Sequence, residues 1–99
     1  MYIDMNSSCL SKNLHASADV IKILGETNRL KIVCLLKKNP LCVCEIFRIL
    51  KLPQNLVSHH LKILLDADIV SNTRNGKKIV YAINKKTIQN LRKELNTIL

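Results

Sequence analysis

Two cysteines separated by a single residue are the clearest chemical feature of the chain. Cys42 and Cys44 flank Val43, and two further cysteines occur at Cys9 and Cys34. Thiolate is the form of cysteine that binds soft metal ions, and the positive end of a helix stabilises it. Because residues two apart on an ideal helix point about 200° apart, binding of one ion by both needs a distorted first turn. Cys9 is the candidate for a third thiolate.

Other states of these cysteines are also considered. We expect reduced thiols rather than disulfides, because nothing marks the chain as secreted and intracellular proteins keep their thiols reduced. Three thiolates suit a pyramidal soft ion such as As(III), Sb(III) or Pb(II), whereas Zn(II) and often Cd(II) prefer four ligands. Alternatively, Cys42 and Cys44 are small apolar residues that open a buried helix, and Cys9 is an idle residue. Cys34 lies in an apolar run and is predicted to pack in the core.

A second set of residues suits contact with DNA. Segment 54–67 has a helical repeat whose polar side carries five candidates for contacts to base edges or phosphates, Gln54, Asn55, Ser58, His59 and Lys62. The N-terminus of such a helix also attracts phosphate. Cations around the Asn75-Gly76 turn suit the minor groove: Arg74, Lys77 and Lys78. His60 falls on the apolar side, so we predict a structural, hydrogen-bonded histidine there.

Composition and charge narrow the class of protein. The chain has 99 residues, enough for one domain, with 16 Lys and Arg, 7 Asp and Glu and a net charge of +9. So large a positive charge indicates a polyanionic partner, nucleic acid before acidic membrane. The apolar content is too high for a disordered tail, and no apolar run approaches the length of a membrane span or a signal peptide. Catalytic motifs are absent, so we expect no enzyme and no organic substrate.

The elements that must position these residues follow from the spacing of apolar side chains. We predict a flexible arm at 1–13 and a DNA-binding and dimerisation domain at 14–99. Helices are predicted at 14–24, 26–38, 41–50, 54–67 and 85–99, because apolar positions recur there with helical spacing. The period changes to two at 69–74 and 77–84, which predicts a hairpin around a type I′ turn at Asn75-Gly76.

A short helix, a turn, a second helix and a basic hairpin together predict a winged helix-turn-helix. The element order is α-α-α-α-β-β-α, mainly helical with a β-hairpin wing. The first and last helices carry apolar stripes that so short a chain cannot cover. We therefore predict a homodimer in which the two terminal helices pair across a two-fold axis.

Several segments resemble the ArsR/SmtB family of metalloregulators. Residues 25–32 (GETNRLKI) resemble the start of its second helix, and 41–46 (LCVCEI) its thiolate metal box. Residues 56–64 (LVSHHLKIL) are similar to its recognition helix, and the hairpin with Lys77, Lys78 and Tyr81 to its wing. The resemblance covers roughly 18–84. Asp68 stands where relatives usually have glycine, and we expect aspartate to tolerate the left-handed backbone of that turn.

The resemblance implies a cytoplasmic, homodimeric repressor that leaves an inverted-repeat operator near its own promoter when an inducer ion binds. By the same resemblance, Cys9 of one chain joins Cys42 and Cys44 of the other. Cadmium- and lead-sensing members supply two arm cysteines, whereas this chain has one. The last helix lacks the His and Asp of the family's second metal site. No resident cofactor and no membrane partner is expected.

A redox interpretation stays open beside the metal one. A regulator with the same fold can sense thiol oxidation or persulfide instead of a metal ion. Sensors of that kind pair a cysteine of the second helix with one of the last helix, and this chain has no cysteine after Cys44. A DNA binder without a metal trigger, and a winged helix that binds RNA or protein, are the remaining alternatives.

Overall fold

Residues 14–99 are described by a computed structural model; the predicted arm at 1–13, with Cys9, lies outside the described residues. The described part begins with α1 (Leu14–Leu24) and α2 (Thr27–Lys38), followed by a two-residue strand β1 (Leu41–Cys42). The helices α3 (Val43–Leu50) and α4 (Gln54–Asp66) come next, then β2 (Val70–Asn75), β3 (Lys78–Ile83) and α5 (Lys85–Ile98). This is the predicted winged helix-turn-helix, with β1 as an additional strand.

The turn between α3 and α4 is set by backbone conformation. Lys51 ends α3 in the left-handed region, with φ 55°, and the Leu52 amide donates to the Phe47 carbonyl at 3.2 Å. Pro53 then precedes α4 as its N-cap, as its fixed φ favours. The chain therefore turns within three residues, and α4 packs against α3.

The strand β1 was not predicted, because two residues are too short to show a period of two. It exists through its partner: the sheet order is β1-β3-β2, and Cys42 lies opposite Val80 of β3. The long strands β2 and β3 form the wing, from Val70 opposite Ile83 to Asn75 opposite Lys78. The N-cap residue of α3, Cys42, is thus paired with strand β3 of the wing.

The wing turn differs from the predicted one by a residue. Asn75 and Lys78 are the last paired residues, so Gly76 and Lys77 are the two central residues of the turn. Only Gly76 of these two has a positive φ, 65°. That is the pattern of a type II′ turn, which needs glycine at the first central position, and not of the predicted type I′.

The core lies where α2, α3, α4 and the base of the wing meet. Its eight buried apolar residues are Ile32, Leu36, Ile46, Val57, Leu61, Leu64, Ile69 and Val70. The prediction that Cys34 packs in this core is wrong, because its side chain is exposed. Ile32 and Leu36 are four residues apart and share one face of α2, whereas Cys34 lies between them and projects from another face.

The terminal helices α1 and α5 pack against each other. Ser17 of α1 and Leu91 of α5 are buried, while Ile21 and Ile98 remain 44% and 37% exposed. The apolar stripes of these helices are thus only partly covered within one chain. Within residues 14–99, no helix combines the length and the apolar content that crossing a bilayer requires.

Candidate nucleic-acid interface and cysteine pair

The polar side of α4 is exposed to solvent. The predicted outward-facing residues are all exposed: Gln54, Asn55, Ser58, His59 and Lys62. Pro53 provides no side-chain cap, so no side chain of the N-cap occupies the first amides of α4. Free amides at a helix start, together with the helix dipole, favour a phosphate group there. The opposite side of α4, with Val57, Leu61 and Leu64, is buried in the core.

The wing carries cations on both of its faces. Arg74, Lys77 and Lys78 are exposed, as predicted for a projecting hairpin. Arg74 is paired with Ile79, and Lys78 with Asn75. Because side chains alternate between faces along a strand, Arg74 and Lys78 project from opposite faces of the ribbon. A ribbon of this kind can place a cation against each of two neighbouring phosphate backbones.

A cluster of three polar residues joins α4 to the start of α2. Glu26 is the N-cap of α2, and its Oε2 accepts from the Arg29 amide at 3.0 Å. Arg29 Nε donates to Nδ1 of His60 at 3.3 Å, and its Nη1 donates to the Ile23 carbonyl at 3.1 Å. One guanidinium therefore connects the end of α1, the start of α2 and the buried face of α4.

The prediction of a structural, hydrogen-bonded His60 is confirmed, whereas the roles of Glu26 and Arg29 were missed. Nδ1 of His60 accepts a hydrogen bond, so the imidazole proton is assigned to Nε2, which lies 3.6 Å from Oε2 of Glu26. An acidic residue just before an apolar helix is the sequence signal that identifies Glu26 as a cap. No local signal indicates that Arg29 contacts a residue 31 positions away.

Burial and charge shift the titration of this cluster. Burial is the largest influence on the pKa of His60 and lowers it, and the positive charges of Arg29 and His59 lower it further against the opposing Glu26 carboxylate. Burial acts to raise the pKa of Glu26. The amides of Arg29 and Asn28 and the charge of Arg29 act in the opposite direction, and the net result is a lowered pKa of Glu26. The cluster therefore favours a neutral imidazole beside an ionised carboxylate.

The cysteine pair departs from two predictions. Cys42 and Cys44 are joined as a disulfide, with their Cα atoms 5.4 Å apart, so the prediction of two reduced thiols is wrong for this structure. Cys42 is also not in the first turn of α3. It is the N-cap residue in β1, with extended φ −83° and ψ 164°. The 200° separation of an ideal helix does not apply to an extended residue, so the two sulfur atoms meet without distortion of the helix.

The surroundings of the pair connect it to both candidate DNA-contacting elements. Oε1 of Glu45, in the first turn of α3, accepts from the Cys42 amide at 3.1 Å and fixes the backbone there. Cys42 is buried and paired with the wing strand at Val80, while Cys44 is half-buried on α3, which packs on α4. Within residues 14–99, no three histidine, cysteine or acidic side chains are close enough to hold a metal ion.

Comparison with known proteins agrees with this architecture. Residues 26–72, from the start of α2 to β2, match the family described as "Bacterial regulatory protein, arsR family". The arsenical resistance operon repressor of Staphylococcus xylosus is 32% identical over 79 residues, which cover 80% of this chain and 76% of that protein. The transcriptional repressor PagR of Bacillus anthracis is 38% identical over 87 residues, 87% of each chain.

Solved structures show the same arrangement of elements. The structure of HlyU from Vibrio cholerae superposes with a TM-score of 0.72 at 28% identity, covering 84% of this chain and 95% of that one. The match to the family spans the helix-turn-helix, the cysteine pair and the first three residues of β2. The chain therefore belongs to the ArsR family of bacterial regulatory proteins, whose members are DNA-binding transcriptional repressors and not enzymes.

Proposed function

We propose that the chain is a cytoplasmic, homodimeric repressor that releases an inverted-repeat operator when a soft metal or metalloid ion binds its cysteines. The ion is As(III), Sb(III), Pb(II) or Cd(II), and its ligands are Cys9, Cys42 and Cys44. Residues 1–13 form an arm that delivers Cys9, and 14–99 form the DNA-binding and dimerisation domain. The position of Cys42, between the wing strand and α3, is the observation that carries this proposal.

The DNA-binding half of the proposal rests on charge and exposure. The net charge is +9, and the predicted contacts lie on two projecting elements, the exposed side of α4 and the wing. Gln54, Asn55 and Ser58 reach base edges or phosphates, and His59 and Lys62 reach phosphates. Arg74, Lys77 and Lys78 contact the backbone along the minor groove.

The ion-binding half rests on the closeness of two sulfur atoms. In the disulfide, the Cα atoms of Cys42 and Cys44 are 5.4 Å apart. After reduction, two thiols this close in the chain both bind one ion. The half-buried Cys44 gives the ion access from solvent. Two sulfur ligands are too few for a pyramidal soft ion, and Cys9 supplies the third. Names of relatives support this choice, since the Staphylococcus xylosus protein is an arsenical resistance operon repressor.

The homodimer rests on uncovered apolar surface. Ile21 of α1 and Ile98 of α5 are 44% and 37% exposed, although both lie on the apolar stripes of their helices. Pairing of the terminal helices with those of a second copy covers this surface. It also sets the distance between two α4 helices, which must match successive major grooves of an inverted repeat.

Ion binding changes DNA affinity through the backbone at Cys42. Residue 42 is paired with Val80 in the wing, and residue 44 lies in α3, which packs on α4. Attachment of the arm to this junction alters the relative position of the wing and α4, so that two half-sites no longer fit. Coupling of about 1–3 kcal/mol, roughly 5- to 150-fold in operator affinity, is typical of such linkage.

Two titrations test the proposal. In the first, fluorescence anisotropy measures binding of the chain to a DNA duplex taken from upstream of its own gene. Replacing Lys77 and Lys78 with Ala lowers the slope of log affinity against log salt by about two. Lys93→Ala, an exposed lysine of α5, serves as the control. An unchanged slope contradicts the proposed interface.

In the second titration, reduced protein receives As(III), then Pb(II) and Cd(II), while the thiolate charge-transfer absorption is recorded. We expect saturation at one ion per site, a weaker band in Cys9→Ser, Cys42→Ser and Cys44→Ser, and an unchanged band in Cys34→Ser. The exposed Cys34 is a matched control. The same additions must weaken DNA binding in the anisotropy assay. A band that does not depend on Cys42 and Cys44 refutes the ion site.

Sensing of thiol oxidation is the second candidate function, favoured by the Cys42–Cys44 disulfide. Two thiols form one disulfide, release two protons and pass two electrons to a peroxide, which is reduced to water. The oxidised pair would then alter the junction of β1 and α3. Two results together support this function over the first. Hydrogen peroxide releases DNA from Cys9→Ser but not from Cys42→Ser, and metal ions change the DNA binding of neither variant.

A further inference from the structure

An apolar groove opens between the end of α2, the base of the wing and the start of α5. Its volume is about 450 Å³, within the range of small-molecule sites. Its floor consists of Val33 and Leu36 of α2, Pro40 of the loop that follows, Ala82 and Ile83 of β3, and Ile88 of α5. Most of these side chains are only partly buried, so apolar surface faces the open groove.

The rim of the groove is positively charged. Four exposed cations surround the floor, Lys37, Lys38, Lys85 and Arg92, and the groove lining contains no acidic residue. The first two lie in the last turn of α2, where the helix dipole favours cations. The helix dipole does not explain the position of Lys85. It begins α5, at the helix end where a cation is disfavoured, and the first turn there contains no acidic residue.

We propose that this groove binds a small amphiphilic anion, a fatty-acid-like carboxylate with an apolar chain. The chain lies on the apolar floor, and the carboxylate lies between Lys85 and Arg92. A bound anion compensates the unfavourable charge at the start of α5, and a purely hydrophobic partner gains nothing from four cations. The groove does not include Cys42 or Cys44. Two of its residues are nevertheless adjacent to the elements that hold the pair, since Pro40 directly precedes β1 and Ala82 belongs to β3.

Decanoate is the probe, with decyltrimethylammonium as its cationic counterpart of equal chain length. Both are titrated below their micellar concentrations into the reduced, 15N-labelled full chain, and amide shifts are followed by NMR. We expect decanoate to shift signals of residues 33–40, 82–85 and 88, and decyltrimethylammonium to bind at least about fivefold more weakly.

Matched charge reversals test the assignment of the head group. Lys85→Glu with Arg92→Glu weakens decanoate binding at least about fivefold, whereas Lys86→Glu with Lys93→Glu leaves it within twofold. Both double variants change the net charge equally, and all four residues are exposed on α5. If the first double variant does not fold by circular dichroism, Lys85→Gln with Arg92→Gln replaces it and must weaken binding in the same direction.

Four results of the decanoate experiments overturn the proposal. These are no decanoate shift at millimolar concentration, shifts centred outside the groove, equal binding of the cationic probe, or equal loss in the two double variants. The last result means that diffuse net charge attracts the anion. Groove signals that change with protein concentration before any decanoate is added show that a second copy of the chain is the occupant, and they also refute the site.

Discussion

Removal of the Arg29 guanidinium should destabilise the junction between α1, α2 and α4. Its Nε donates to the buried His60 at 3.3 Å and its Nη1 to the Ile23 carbonyl at 3.1 Å. A hydrogen bond from a charged donor contributes about 1.5–3 kcal/mol, so two give about 3–6 kcal/mol. Arg29 is only half-buried, and water can reach part of the vacated site. We therefore expect Arg29→Ala to lower the free energy of unfolding by about 2–4 kcal/mol.

Urea denaturation at pH 7.5, followed by helical circular dichroism, measures this loss. Arg29→Lys keeps the charge but not the planar fork of donors, so it retains at most one of the two bonds and loses about 1–2 kcal/mol. Lys31→Ala, an exposed residue of the same helix, is the control and should change stability by less than about 0.5 kcal/mol. A loss below about 1 kcal/mol for Arg29→Ala, or an equal loss for Lys31→Ala, refutes the bridging role.

Three further predictions concern titration and backbone conformation. Because folding lowers the pKa of His60, the unfolded chain binds the proton more tightly, so stability should fall as pH decreases below about 6.5. The unfolding free energies measured at pH 7.5 and pH 5.5 should therefore differ less in His60→Gln than in the unmodified chain. Asp68 has φ 57°, so Asp68→Gly should raise the unfolding free energy by about 0.5 kcal/mol and Asp68→Val lower it by about 1–2 kcal/mol, as thermal denaturation can show. Gly76 has φ 65° with open space around it, so Gly76→Ala should cost about 1 kcal/mol through the backbone alone; a neutral result contradicts the turn geometry.

Much of the fold was predictable because its periodic signals are local. The stripes at 54–67 and 85–99 repeat with helical spacing over several turns, and α4 and α5 lie there. The exposed set on α4 and the buried His60 followed from the same repeat. The left-handed backbone of Asp68 was expected because the family resemblance places this residue where relatives usually have glycine, and aspartate tolerates that conformation. The type of the wing turn was harder to predict, because a one-residue shift in strand pairing placed the centre of the turn at Gly76-Lys77.

The sequence by itself determined the helical stripes, the basic wing, the charge and the presence of a Cys-Val-Cys motif. These are properties of residue types and their spacing. Tertiary structure decided how the motif is used. The strand β1 forms only because β3 is beside it, and this pairing keeps Cys42 extended and brings its sulfur to Cys44. Tertiary structure also joined Arg29 to His60 and left Cys34 exposed. Contacts between residues distant in sequence depend on how elements pack, and no local pattern encodes that packing.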